Sequence, residues 1–343
     1  MTETSARHPS TQKPGQDQSE SPFVLAVDIG GSKIAIGKIN TQGQLLGQME
    51  IRRVPFDQAG VADPEEILRI LKPFADEAKA TRGFVPTIGL SVCGNIDMMS
   101  GEAVLVANLH WRNVPFGAMV RSHLGLGVSP ATDVRMAALA EATWGAGRGA
   151  KHFAWVTVGT GYGAYLFLEG KLYGGAHDFA GNFGHNTLDE INGFPCGCGR
   201  RGCVETFVSG PAIARAGQKA LDEGRSPALR GLAPNGKVTC EMVFQAEAAG
   251  DPAAHEILDS VIRLIAISIA SLVNTLDLEL VVLGGGVMRS TPSFLQRIEA
   301  RTRDYLMTVE ARRDLRIAGE TFPNSALFGA AAGVFLQHGL LPS

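Results

Sequence analysis

Two segments of this chain share one plan, and that repetition restricts its fold more than any other feature. In FVLAVDIGGSKIAIGKINTQGQLL (23–46) two apolar, β-rich runs flank Asp-Ile-Gly-Gly, and a second turn, NTQG, leads into a third run. In HFAWVTVGTGYGAYLFLEGKLYGG (152–175) an apolar run, a glycine-rich turn and a further apolar run follow in the same order. Both read as antiparallel strands joined by tight turns. Helix signals alternate with strands elsewhere. DPEEILRILKPFADEAKATRG (63–83) opens with an Asp cap and a Pro at the first helical position, with a kink expected at Pro73. TIGLSVCGNID (87–97) reads as a short strand entering a loop, and DVRMAALAEATWG (133–145) as a helix with Asp133 at its cap position. A long helix is expected over about 252–276, a buried strand ending in three glycines at LELVVLGGGV (278–287), and a small-residue helix at ALFGAAAGVFLQHG (326–339). The same design in each half, with strands alternating with helices, predicts an α/β chain of two related lobes with a cleft between them.

Composition narrows the function. A chain of 343 residues, 45% hydrophobic, can bury a large core and is long enough for two domains or two lobes. Lys and Arg number 31 against 34 Asp and Glu, a net charge of -3 without a basic stripe, which argues against nucleic acid as a partner. Residues 1–22 hold almost no large apolar side chain, lack the core of a signal peptide and read as a disordered tail. The most apolar later stretch, LIAISIASLVNTL (264–276), has thirteen residues without a charge, too short to span a bilayer. A soluble, cytoplasmic protein is expected.

Three glycine turns can approach phosphate oxygens, because no Cβ stands between the backbone N–H donors and a ligand. DIGGSK offers Gly30 and Gly31 with the Ser32 hydroxyl, the Lys33 cation and the Asp28 carboxylate, which could hold Mg²⁺ through water. GTGYG offers Gly159, Thr160 and Gly161, and GGGV offers Gly285 and Gly286. None has the spacing or context of a Walker loop or a dinucleotide fingerprint. Asp133 has two readings, a plain helix cap or a general base taking a proton from a sugar hydroxyl as it attacks phosphorus.

His185, Cys196, Cys198 and Cys203 form a compact cluster. A redox pair is more usually spaced Cys-x-x-Cys, and a cytosolic disulfide is disfavoured by compartment. Three thiolates and an imidazole complete a tetrahedral zinc shell of the structural type, and Gly197, Gly199 and Gly202 let the chain curl around an ion. Free cysteines beside a satisfied histidine are the alternative. Cys93 stands alone and reads as a small buried hydrophobe.

Together, AVDIGGSKI, TDVRMAALAEATWGAGRG, GTGYGAYLFLEGKLYGGAHDFAGNFGH, CGCGRRGCVET and VVLGGGV resemble the ROK family of sugar kinases and sugar-responsive repressors, in order from about Phe23 to the C-terminus. The resemblance implies a two-lobed actin- and hexokinase-like (ribonuclease H-like) ATPase fold with an inserted structural zinc site. It divides the chain into a small lobe, 23–130, on which the helix at 326–339 packs back, and a large lobe, 131–325, carrying the zinc loop 185–203. It makes DIGGSK and GTGYG phosphate loops, places GGGV on the adenosine side, and assigns the base to Asp133. It gives Asn108, His185 and Glu205 contacts to the sugar, with His185 also a zinc ligand, and it implies ATP, Mg²⁺, Zn²⁺ and a homodimer.

Two departures fall on the sugar side. Kinases of the family usually read Glu-x-Gly-His where this chain has NFGH, so Asn182 replaces a carboxylate; they usually read Asn-Asp-Ala-Asn where it has TDVR, so Thr132 and Arg135 replace asparagines. The DV after Thr132 and the GAH before the zinc region resemble the allose-kinase branch. The expected activity is therefore ATP-dependent phosphorylation of glucose or a related hexose, at O6. A sugar-responsive repressor needs an N-terminal helix-turn-helix of several tens of residues, where only the 22-residue tail precedes the first strand. A non-catalytic sugar-binding protein is the other alternative, motivated by Asn182 and Thr132.

Overall fold

The computed structural model describes residues 21–177 and 180–341, so the predicted tail lies almost wholly outside the described residues. Strand β1 (Phe23–Ile29) pairs antiparallel with β2 (Lys33–Asn40), and the Gly30 N–H donates to the Lys33 carbonyl across the turn at 2.9 Å. The third run predicted after NTQG is not the third strand. The run pairs only briefly, through an isolated antiparallel bridge of Leu45 to Ile39 with the Leu46 N–H donating to the Lys38 carbonyl at 2.7 Å, and the sheet continues with β3 (Glu50–Arg53).

Helix α1 (Pro64–Ala80) starts as read: the Asp63 carboxylate accepts from the N–H groups of Glu65 and Glu66 at 2.9 and 3.1 Å, Pro64 occupies the first turn, and the helix continues through Pro73. β4 (Phe84–Val92) returns parallel to β1. A small antiparallel sheet follows, of β5 (Asn95–Ile96), β6 (Ala103–Val106) and β7 (Trp111–Val114). Then come α2 (Phe116–Leu124), β8 (Gly127–Thr132) parallel to β4, and α3 (Asp133–Thr143).

The second half repeats the topology. β9 (Phe153–Val158), β10 (Tyr162–Leu168) and β11 (Lys171–Tyr173) form an antiparallel meander. After α4 (Glu205–Val208), α5 (Gly210–Asp222), α6 (Pro227–Leu232), α7 (Cys240–Ala248) and α8 (Pro252–Leu276), β12 (Leu280–Gly284) joins β9 in parallel. Helices α9 (Pro292–Arg303) and α10 (Val309–Asp314) lead to β13 (Arg316–Gly319), parallel to β12, and α11 (Ser325–Gln337) ends the chain's regular structure. The sheet orders, β3-β2-β1-β4-β8 and β11-β10-β9-β12-β13, match strand for strand. Among the described residues no helix is long and apolar enough to cross a membrane.

Each sheet has an outer core of its own: α1 and α2 cover one, and α5, α7, α8 and α9 cover the other. Between the sheets lies α3. Its Met136, Leu139 and Ala140 pack with Val24, Ala26 and the apolar side of α11, while its Ala137 and Ala138 pack with Phe153, Trp155 and Val282. Glycines set how closely these layers approach. A Cβ on Gly329 of α11 would stand 1.6 Å from the Met136 carbonyl oxygen, and one on Gly89 of β4 would stand 2.2 Å from the carbonyl oxygen of Ala330. Fully buried Glu141 ties the far end of α3 to the segment before α11, accepting from the Thr321 N–H and hydroxyl, each at 2.7 Å. Replacing Gly329 by alanine therefore forces the two helices apart. Gly329→Ala is expected to destabilise the protein by at least about 1–3 kcal/mol, measured by denaturant unfolding.

Candidate active site

Thr132 closes β8 in extended conformation, and its Oγ1 accepts from the Arg135 N–H at 3.4 Å. The cap of α3 is therefore Thr132, one position earlier than the sequence suggested. The reason is that a threonine hydroxyl already reaches the helix N–H, so the Asp133 carboxylate is not needed there. Asp133 is instead the first helical residue, with Oδ1 accepting from the Val134 N–H at 2.9 Å. Its carboxyl lies where two cavities meet, one of about 380 Å³ toward β5, β6 and β10 and one of about 250 Å³ toward β1, β9 and the loop before α11. Burial, reinforced by the nearby Asp28 charge, pushes Asp133 up to about 7. Asp28 is itself raised by burial, against the Ser91 hydroxyl and Asn324 amide that donate to it at 2.6 and 3.0 Å.

In the larger cavity Asp133 is joined by Thr132, Arg135, Tyr165, Asn95 and Asn182, with Ile96, Met98 and Val104 as an apolar side. The Arg135 guanidinium donates to the Tyr165 hydroxyl and lies 5.4 Å from that ring's centroid, so the pair forms a cation–π contact at the cavity wall. Asn182 and His185 also line an adjoining hollow of about 500 Å³. Two further residues expected at the sugar, Asn108 and Glu205, are not among those lining these two hollows. Asn108, exposed on the turn Ala107–Leu109, lies over Gly31 close enough that a Cβ there would meet its own Cβ at 2.8 Å, and its side chain bonds Cys93. Glu205, at the start of α4, accepts from the Tyr162 N–H of the GTGYG loop through Oε2 at 2.9 Å, with Oε1 3.8 Å from the Cys196 sulfur. Cys93 is half-buried and packs at the edge of the core; burial, reinforced by the charges of Asp133 and Asp28, pushes its thiol up to about 12.

The smaller cavity contains Asp28 and Gly285, both anticipated, with Thr157, Glu320, Asn324 and Trp155, which were not. No local pattern announces those four: β9, the end of β13 and the start of α11 bring them together from distant parts of the chain. The glycine loops converge beside it. Gly210 donates to the Gly159 carbonyl at 2.7 Å, and the Cβ position of Gly159 is 3.5 Å from the Gly286 nitrogen. Gly285 has φ +98°, and a Cβ there would stand 2.6 Å from the Val158 carbonyl oxygen, so this approach of β12 to β9 requires glycine. Ser32, Lys33 and Thr160 are exposed on their turns.

The cysteine cluster is assembled by a tight loop between the bridges Thr187↔Cys203 and Pro195↔Arg201. One ligand atom each from His185, Cys196, Cys198 and Cys203 lies within 4.8 Å of all the others. The Cys198 and Cys203 sulfurs are 3.6 Å apart, far too long for a disulfide, and Cys196 Sγ is 3.5 Å from His185 Nδ1. A tetrahedral zinc at ordinary bond lengths puts two sulfurs about 3.8 Å apart and a sulfur and a nitrogen about 3.6 Å apart, so the donor set is compatible with a structural zinc site. The Arg200 N–H and guanidinium hold exposed Cys198 down at about 6, which favours the thiolate a metal needs.

Residues 24–335 match the profile of the ROK family. The glucokinase of Halalkalibacterium halodurans is 31% identical over 298 residues, 86% of this chain and 90% of that protein. A putative xylose repressor from Caldicellulosiruptor sp. is 26% identical over 276 residues, 80% of this chain and 69% of that protein. Among solved structures, a ROK family glucokinase from Streptomyces griseus in complex with glucose and AMPPNP superposes with a TM-score of 0.75 at 28% identity, covering 90% of this chain and 98% of that one. The paired sheets are thus the actin- and hexokinase-like architecture that the resemblance implied. With the profile spanning nearly all of the described residues, the chain belongs to the ROK family.

Proposed function

We propose that the protein is an ATP-dependent sugar kinase that transfers the γ-phosphoryl group to the primary hydroxyl, O6, of a hexose. The observation that carries this reading is the position of Asp133 at the junction of two cavities. A sugar in the larger one, beside Asn182 and His185, presents its hydroxyl to Asp133; a nucleotide along Asp28 and the Gly159 and Gly285 loops presents its phosphate from the other side. The glucose and AMPPNP bound by the structural relative support both ligand classes. On this reading residues 23–130 with the returning helix form one lobe and 131–325 the other.

Asp133 accepts the hydroxyl proton as the sugar oxygen attacks phosphorus, and backbone N–H groups of the glycine loops receive the phosphate oxygens. Asp28 would hold a Mg²⁺ ion through water, and the ion would supply charge neutralisation at the phosphates; each Asp28 oxygen keeps a lone pair for this beyond its bond to Ser91 or Asn324. The substituted sugar-side positions, Asn182 and Thr132, leave glucose as one candidate among hexoses, because an amide donates as well as accepts and suits another hydroxyl arrangement. A panel of hexoses, including allose, N-acetylhexosamines and fructose, assayed by coupled ADP release is expected to find at least one substrate. Asp133→Asn is expected to lower its turnover by about 10²–10⁴-fold. Sugar binding without turnover in any case would favour the second reading, a sugar-binding regulator, which the similarity to a putative xylose repressor and the Asn182 substitution motivate.

The same carboxyl sets the pH dependence. Asp133 is a base only when ionised, so kcat/KM is expected to rise as pH increases through about 7. Because burial raises it in the fold, the proton-bound form stabilises the protein, and that stabilisation is lost as pH rises through the same value. Asp133→Asn, which cannot ionise, is therefore expected to melt higher than the wild type at pH 8, by differential scanning fluorimetry.

We further propose that the Cys₃His cluster holds one zinc ion without an open position, and that the ion stiffens the wall carrying Asn182 and His185. Elemental analysis of the purified protein is expected to find one zinc per chain. Cys198→Ser is expected to lose the metal and, by calorimetry, sugar affinity with it. Full zinc occupancy in that variant, or unchanged sugar binding after zinc loss, contradicts this role.

A further inference from the structure

Beyond the cavity proposed for the hexose lies a space that the transfer reaction leaves unused. The hollow of about 500 Å³ adjoins the larger cavity through Asn95 and Asn182, which line both. The larger cavity, about 380 Å³, already falls within the range of about 300–1,000 Å³ usual for small-ligand sites, so a monosaccharide fits without the hollow. Asp28, Thr132, Asp133 and Gly285 line the other two spaces and not this one. The hollow therefore lies past the sugar rather than beside the transferring phosphoryl group.

Every side chain lining it is polar. Asn95, Asn182 and Asn186 supply carboxamides, Thr187 a hydroxyl, His185 an imidazole and Arg200 a guanidinium. The larger cavity differs in having an apolar side of Ile96, Met98 and Val104. Among the described residues no hydrogen bond engages the side chains of Asn95, Asn186 or Thr187. The Arg200 guanidinium is committed to the Cys198 sulfur, and no carboxylate lines the hollow, so neither an anionic nor a cationic ligand is matched. A neutral polyhydroxyl compound is matched, because carboxamides and hydroxyls donate and accept as sugar hydroxyls do. The walls come from distant parts of the chain. Asn95 opens β5 directly after Gly94, whose φ of +144° and Cβ position 2.9 Å from the Leu105 carbonyl oxygen press that turn onto β6. Asn186, Thr187 and Arg200 belong to the cysteine-cluster loop, where Thr187 bridges to Cys203.

We propose that the hollow is a subsite for a second sugar unit, so that the preferred substrate is a disaccharide phosphorylated on its non-reducing hexose. This rests on the sugar-kinase reading and names the substrate class of that site. With O6 at Asp133, a hexopyranose turns its C1 to C3 edge away from the base, and a glycosidic bond from C1 leads toward the hollow. In the transfer the O6–H bond breaks and its proton passes to Asp133, the O6–P bond forms, and the bond from phosphorus to the leaving ADP oxygen breaks. The glycosidic bond is untouched. Asn186 and Thr187 meet only the second unit, so they set specificity and take no part in the transfer itself.

The test measures kcat/KM of the full-length protein with ATP for the panel hexoses and for α- and β-linked disaccharides carrying them at the non-reducing end. At least one disaccharide is expected to exceed its free hexose by about tenfold, mainly through a lower KM, as two added hydrogen bonds would give. NMR of the product is expected to place phosphorus on O6 of the non-reducing ring. Asn186→Ala and Thr187→Val are each expected to lower the disaccharide-to-hexose ratio of kcat/KM by about three- to tenfold, with metal content unchanged. A purely structural defect lowers both activities together and leaves that ratio alone. No disaccharide better than its hexose, or a ratio that neither variant changes, overturns the subsite and leaves the kinase reading standing. Absence of phosphoryl transfer to every sugar, single or linked, overturns both.

Discussion

The crossing of α3 over α11 is the contact on which the rest of the molecule depends. The two helices approach so closely at Gly329 and Met136 that no side chain fits between them, and α11 is in turn pressed onto β4 through Gly89. This places α3 between the two sheets, with one set of its small residues against each. Because Asp133 is the first residue of that helix, its position relative to both sheets is fixed by packing rather than by a loop. Such a mounting suits the base role proposed for Asp133, since small displacements at a reacting centre are costly in rate.

The electrostatics follow from the same geometry. Placing Asp28 and Asp133 on opposing elements around one cavity puts two carboxyl groups in a desolvated space, and each is driven above its ordinary value mainly by burial. The fold tolerates this because Asp28 is compensated by Ser91 and Asn324, the latter delivered by the start of α11. Asp133 has backbone N–H groups but no side-chain donor against its burial and the Asp28 charge, so its proton affinity lies near neutrality, the range that suits the base role proposed for it.

Glu205 links the remaining parts. One of its oxygens holds the Tyr162 N–H in the GTGYG turn, and the other faces the Cys196 sulfur. A single carboxylate therefore connects the cysteine cluster to the GTGYG turn. A metal in that cluster would restrain both sides of the cavity system, which a purely local staple would not do.

The strands, the helix start at Asp63, the long helix over about 252–276 and the duplicated hairpins were legible because periodicity, caps and glycine turns are local signals. So was the cysteine cluster, whose four ligands lie within one short loop. The cap of α3 was misplaced by one residue, because Thr132 and Asp133 are both good caps and only backbone conformation at β8 decides between them. The run after NTQG pairs with β2 for only one bridge, and the length of a pairing is not carried by apolarity alone. Trp155, Thr157, Glu320 and Asn324 carried no motif, since what makes them a site is the meeting of β9, β13 and α11. By itself the sequence determined which segments become strands, helices and turns and which cysteine and histidine side chains gather into one cluster, because those depend on neighbours along the chain. Only the tertiary structure decided that Asp133 stands between two cavities with its proton affinity near neutrality, because burial and opposing charge arise from segments that meet only when the sheets close on α3.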